Sequence, residues 1–304
     1  MSPLRPTLLP SLLLTLACAL PPATAAADIV LTQADGSLLH LAGPAQRIVA
    51  LSPHLAEGLY AAGAGERLIA TVEYSEFPPP AAEIPRIGDA FRLDVERIAA
   101  LRPDLVIAWD SGNPRPAVAQ LRALGLAVWS VEIRAPDEIA GFIEAAGRAG
   151  GLDRQAAVVA QRLRARLASM AARYASARPL DYFYQVDVQP LYTISGQHLI
   201  SRGLALCGGV NIFADQPGLA FQASRESVIV ANPTAILAPL PSGPNGTADP
   251  LAAWRDWPSL TAVRNGALVL LPADEISRAT PRFLDALEAA CERLDQVRGT
   301  ASND

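Results

Sequence analysis

The chain carries one helix–proline–strand phrase twice. Glu96-Arg97-Ile98-Ala99-Ala100-Leu101-Arg102-Pro103 runs into Asp104-Leu105-Val106-Ile107-Ala108. Glu226-Ser227-Val228-Ile229-Val230-Ala231-Asn232-Pro233 runs into Thr234-Ala235-Ile236-Leu237-Ala238. In both copies a Glu near a helix start stands seven residues before a Pro, and an apolar strand follows, at a constant offset of 130 residues. A second correspondence keeps the same order: strand, Ser52, helix, Gly63 against strand, Ser195, helix, Gly208. One such match arises readily in any α/β chain. Two in order point to a pair of related lobes.

The rest of the pattern fills in those lobes. Alternation over Ile29–Leu41, broken at Ala34-Asp35-Gly36-Ser37, predicts a hairpin. Ile48–Leu51 reads as a buried strand. Ser52-Pro53 then opens a helix that Gly63 and Gly65 close, and Leu68–Val72 is the next strand. Tyr74 to Pro80 is a loop. Helices over Val95–Leu101 and Pro114–Leu124 alternate with strands over Leu105–Trp109 and Ala127–Val131, the signature of a parallel sheet. Two helices follow, Pro136–Ala149 and Asp153–Ala175. The second is long enough, at about 1.5 Å per residue, to reach from one lobe to the other. Beyond it, strands are expected at Tyr182–Val188, Ala235–Ala238 and Ala267–Leu271, with helices at His198–Cys207, Arg225–Ala231 and Pro281–Val297. The expected fold is α/β: two Rossmann-like lobes with parallel sheets joined by one long rigid helix. Its parts are an N-terminal lobe over 28–135 (hairpin 28–44), a helical segment over 136–178, a C-terminal lobe over 179–298 and a disordered tail over 299–304.

Residues 1–27 read as an export signal: Arg5, a short apolar run from Leu8 to Leu20, the break at Pro21-Pro22, then small residues at Ala23 and Ala25–Ala27. The run is shorter than the roughly 20 residues a membrane span needs, so a soluble, periplasmic mature chain is expected. Cys18 loosely resembles a lipoprotein processing site; an ordinary signal residue is the favoured reading. In an oxidising compartment Cys207 and Cys291 can form a disulfide worth about 4 kcal/mol, the alternative being two separate buried thiols. With a net charge of −5, and Arg supplying every one of the 25 basic residues, no basic footprint for nucleic acid is present.

Two lobes with parallel strands place a ligand cleft at the strands' carboxyl ends. Here the residues also resemble a family. Arg47–Pro53 (RIVALSP), Tyr74–Pro79 (YSEFPP), Val95–Trp109 (VERIAALRPDLVIAW), Cys207–Asp215 (CGGVNIFAD), Ser224–Glu226 (SRE) and Ser277–Phe283 (SRATPRF) are collinear with the periplasmic binding proteins for cobalamin, haem and iron-siderophores. These proteins feed ABC importers, and the cobalamin-binding members are the most similar. The resemblance implies a monomeric receptor with little hinge closure, no cofactor of its own, and a corrinoid as transported ligand. It places Tyr74, Trp109 and the loop Asp274, Glu275, Ile276, Ser277 and Arg278 in the cleft. It also implies that Glu96 and Glu226 dock on Arg residues of a transmembrane permease dimer, one per lobe; the plainer reading is that each favours a helix N-terminus.

The chain departs from the cobalamin pattern at four aromatic positions. Ala90 and Ala220 stand where Trp is usual, beside Phe91 and Phe221, which become the candidate wall residues, and Glu275-Ile276 replaces a Trp-Phe pair. Haem relatives carry an axial Tyr just after the glycine that corresponds to Gly88; Asp89-Ala90-Phe91 offers none. Arg92 and Arg278 keep an anionic siderophore open as an alternative ligand. His40, His54 and His198 are too scattered for a zinc or manganese site. His54 reads as a surface residue of a helix start, with contact to the ligand or its metal as the alternative. No nucleophile elbow or phosphate loop is present: Gly208-Gly209 follows a helix, and Asp181 and Asp187 stand alone, so an exported hydrolase is disfavoured and no catalytic residue is assigned.

Overall fold

The structure, a computed structural model, describes residues 28–240 and 248–300. The expected signal segment, Cys18 and residues 301–304 lie outside the described residues. An antiparallel hairpin, β1 (Ile29–Thr32) and β2 (Leu38–Leu41), opens the chain, Ile29 pairing with Leu41. The first half then runs β3 (Ile48–Ala50), α1 (Pro53–Ala61), β4 (Leu68–Thr71), α2 (Pro79–Ala82), β5 (Gly88–Asp89), β6 (Arg92–Leu93), α3 (Val95–Ala100), β7 (Leu105–Trp109), α4 (Arg115–Ala123) and β8 (Val128–Val131). Its sheet is all parallel, in the order β4-β3-β7-β8.

Helices α5 (Pro136–Gly150) and α6 (Asp153–Arg173) come next. Gly151, at φ 69°, makes the left-handed turn between them. The second half contains β9 (Leu180–Val188), β10 (Leu191–Ile194), α7 (Leu199–Ala205), β11 (Gly209–Asn211), β12 (Ala220–Gln222), α8 (Arg225–Ala231), β13 (Ala235–Leu240), α9 (Thr261–Arg264), β14 (Leu268–Pro272), α10 (Ala273–Ile276) and α11 (Pro281–Thr300). Here the parallel core β11-β9-β13-β14 gains two antiparallel strands. The nine-residue β9 shares one edge between β11 at its start and β10 at its end, and β12 pairs outward from β10. Helix α11 continues through Thr300, so residues 299 and 300, expected in a loose tail, are helical.

The two copies of the repeated phrase agree in backbone detail. Asp94 caps α3 by accepting the Arg97 N–H at 2.9 Å, and Ser224 caps α8 by accepting the Ser227 N–H at 3.1 Å. After each helix the residue before Pro turns left-handed, Arg102 at φ 45° and Asn232 at φ 47°. The proline disfavours a further helical residue there, so the chain swings into β7 or β13.

Each sheet is covered on both faces. Val49, Ala70, Val106 and Ala108 pack outward in a local cluster with Ile98 and Leu121, and Phe183, Ile236 and Ala238 do so with Trp254 and Leu260. The opposite faces share one continuous buried cluster that runs from Leu31 and Ile48, through Ile143, Ala160 and Met170, to Tyr184, Leu237 and Phe283. The lobes are therefore welded through α5, α6 and α11 rather than hung on a loose hinge. The described Cys207 and Cys291 form a disulfide between the end of α7 and α11, with Cα atoms 5.6 Å apart.

Candidate functional site

A cleft of about 480 Å³ opens between the lobes, and both sheets offer it their carboxyl ends. From the first lobe come Ser52, Pro53 and His54 after β3, Tyr74 after β4, Trp109 at the end of β7, and Glu132, Ile133 and Arg134 after β8. Phe91, between β5 and β6, completes this aromatic wall. The second lobe supplies His198 and Leu199 at the start of α7, Leu219, and the segment around α10 with Ala273, Asp274, Ser277, Arg278 and Ala279.

Local hydrogen bonds fix the aromatic wall. Asn113, almost fully buried, accepts the Trp109 N–H at 2.7 Å and donates to the carbonyls of Leu51 and Ala90 at 2.8 and 2.9 Å. One side chain thus ties together the loops that carry Ser52, Phe91 and Trp109. Gly112 lies directly under the Trp109 ring: an added Cβ would fall 1.9 Å from a ring carbon, so only glycine fits while the ring keeps its place. Tyr74 sits at φ 65° in its loop, with its side chain 69% exposed toward the open cleft.

Charge enters the cleft as neutralised pairs. Arg278 donates to Asp274 at 2.7 Å, and Glu132 accepts the Ser111 N–H at 2.9 Å with Arg134 3.7 Å away. The two histidines are kept neutral. Desolvation pushes His54 down to about 3, the Arg278 charge adding to it, and pushes His198 down to about 4. Such a wall of aromatic faces with a few oriented polar groups suits a broad, largely apolar guest fringed by hydrogen-bonding groups. Among the described residues no group of three or more metal-ligating side chains occurs.

Of the residues expected in the cleft, Tyr74, Phe91, Trp109, Asp274, Ser277 and Arg278 line it together. Three do not. Ile276 is fully buried in the shared core, because the single turn of α10 points it inward. Glu275 faces Arg282 at 4.0 Å and is not part of the cleft wall. Phe221, held by the antiparallel pairing of β12 with β10, stacks edge-on against Phe213 at 5.5 Å, which joins the outer cluster of the second lobe. His54 is not a surface residue: it is 9% exposed and forms part of the cleft wall. His198, Leu219, Glu132 and Arg134 were not singled out from the sequence. His198 had a signal in the match between Ser52 and Ser195, since each of these serines is followed within three residues by a histidine. Glu96 and Glu226 are both exposed, each in the first turn of its helix.

A cleft at the carboxyl ends of two parallel sheets, braced by long helices, defines a two-lobed solute receptor. Comparison with known proteins agrees. Residues 48–275 match the model of a periplasmic binding protein family. The chain is 40% identical over 259 residues to a vitamin B12-binding protein of Vibrio cholerae, covering 85% of this chain and 92% of that one. It is 36% identical over 263 residues to one of Yersinia pestis, covering 86% and 91%. The crystal structure of the periplasmic vitamin B12-binding protein of Vibrio cholerae superposes with a TM-score of 0.77 at 39% identity, covering 84% of this chain and 98% of that one. A periplasmic haem-binding protein in complex with two haems shares the fold, with a TM-score of 0.73 at 22% identity over 84% and 99% of the two chains. This chain belongs to the periplasmic binding protein family.

Proposed function

We propose that this chain is the exported receptor of an ABC importer, taking up vitamin B12 or a related corrinoid in its interlobe cleft and delivering it to a membrane permease dimer. The observation that carries the reading is the cleft itself: Tyr74, Phe91 and Trp109 from one lobe face the Asp274–Arg278 pair from the other. A flat macrocycle needs apolar faces to cover it and polar groups at its rim. The names of the relatives point the same way. The chain acts by binding, as a monomer in the periplasm, with no cofactor of its own and no turnover.

Glu96 and Glu226 are the docking charges in this reading, related by the internal repeat and open to solvent on both lobes. Paired charges at matching places suit a partner with two equivalent subunits, and they set orientation and encounter rate more than affinity. Calorimetric titration of the mature protein with cyanocobalamin, haem and a ferric siderophore tests the ligand. Submicromolar binding of cyanocobalamin alone is expected. Binding of haem or the siderophore in its place overturns the assignment.

A further inference from the structure

Two of the chain's three histidines line the cleft, one from each lobe at corresponding helix starts. His54 lies in the first turn of α1, and His198 is the N-cap of α7. Their hydrogen bonds give the two rings different chemistry. His198 Nδ1 accepts the Ile200 N–H at 3.2 Å, so its proton resides on Nε2 and the ring can only donate from that nitrogen. His54 Nδ1 lies 2.6 Å from the Ser52 hydroxyl, while Nε2 has no hydrogen-bond partner among the described residues. Donation from Nδ1 to Ser52 leaves the Nε2 lone pair free.

The ring is otherwise held in place. It is nine-tenths buried, meets Trp109 edge-on with centroids 5.3 Å apart, and is part of the cavity wall. Metal-binding imidazoles share this arrangement: one nitrogen anchored by a neighbouring oxygen, the other free to coordinate. Burial also keeps the ring in the neutral form that coordination requires.

We propose that His54 Nε2 is an axial ligand for the metal of a bound macrocycle, filling a coordination position that the free ligand gives to water. The inference rests on the corrinoid reading of the cleft. In the step a metal–oxygen bond to water breaks, a metal–nitrogen bond forms and one water leaves; no electron or proton is transferred. The receptor then distinguishes corrinoids by their upper ligand, since a tightly held cyanide blocks the position and a water does not.

The test compares aquocobalamin with cyanocobalamin by absorption spectroscopy and calorimetry on the mature protein. Aquocobalamin is expected to show the long-wavelength shift of imidazole replacing water and to bind at least about tenfold more tightly than cyanocobalamin, whose spectrum stays unchanged. His54→Asn, whose amide takes the place of Nδ1 beside Ser52, and His54→Ala should each lose the shift and bring the affinity ratio near one. His198→Ala should keep the shift. Residual cyanocobalamin binding shows that a variant is folded. A wild-type protein that binds both corrinoids without a spectral shift, or a shift that survives in either His54 variant, overturns the axial role and leaves the corrinoid reading standing. Failure to bind either corrinoid overturns both.

Discussion

Asn113 shows how much of the cleft can depend on one side chain. Its amide satisfies three backbone groups on three separate loops while almost fully buried. Asn113→Ala would leave two carbonyls and one N–H without their partner, at a cost of about 2–4 kcal/mol. Urea unfolding should show that loss, together with weaker ligand binding as the Trp109 and Phe91 loops loosen. Gly112→Ala should be milder for stability and harsher for binding, because it displaces the Trp109 ring; a change in tryptophan emission with a fall in affinity is the expected pair of results. The neutral histidines predict a pH dependence. Both pKa values lie below the unfolded value of about 6.5, so between there and about pH 4 the unfolded chain binds more protons than the folded one. Stability attributable to these rings is complete above pH 6.5 and declines as pH falls. Thermal midpoints measured from pH 7 to pH 4 should drop less in His54→Gln than in the wild type.

At the level of elements, the paired helices α3 and α8 carry the docking proposal. Glu96 and Glu226 contribute only fractions of a kcal/mol to their own helices through the dipole. Reversing both, Glu96→Lys with Glu226→Lys, should therefore leave unfolding and ligand titration nearly unchanged while abolishing uptake in cells supplied with the cognate importer. Loss of ligand binding in the double variant would contradict the docking role. The same two helices explain what could be read from sequence. Their caps, the following prolines and the apolar strands are local signals, and helix α8 spans the expected Arg225–Ala231. Strands β10, β11 and β12, three or four residues each, carry too little alternation to be distinguished from loops; β10 and β11 take their places by pairing with β9, and β12 by pairing with β10. The cleft divides the same way. Tyr74 and Trp109 are placed by recognisable strands, whereas Phe221 was assigned by adjacency to a missing tryptophan and Ile276 by its place in the Asp274–Arg278 loop, and one residue of register or helix turn decides whether such a side chain meets ligand or core.

Across the whole molecule, cross-lobe ties reinforce the shared core. Arg282 of α11 grips Glu57 of α1 through two hydrogen bonds of 2.8 and 2.7 Å, and its guanidinium lies 3.9 Å from the centre of the Phe77 ring. Arg166 of α6 reaches Asp285 and Glu288 of α11. Glu57 is buried, so Glu57→Ala strands a partly buried guanidinium and should cost about 3 kcal/mol in chemical unfolding, far more than the loss of an exposed pair. Replacing Cys207 and Cys291 with serine removes a link across 84 residues and should lower stability by about 4 kcal/mol, with the folded scattering profile retained.

The brace formed by α5, α6 and α11 also bears on how cargo leaves. A trap that snaps shut can relax open again and spill what it holds. A frame braced from within stores little such recoil, so on the receptor reading unloading is work done on it from outside, by a partner that grasps the two lobes and prises them apart.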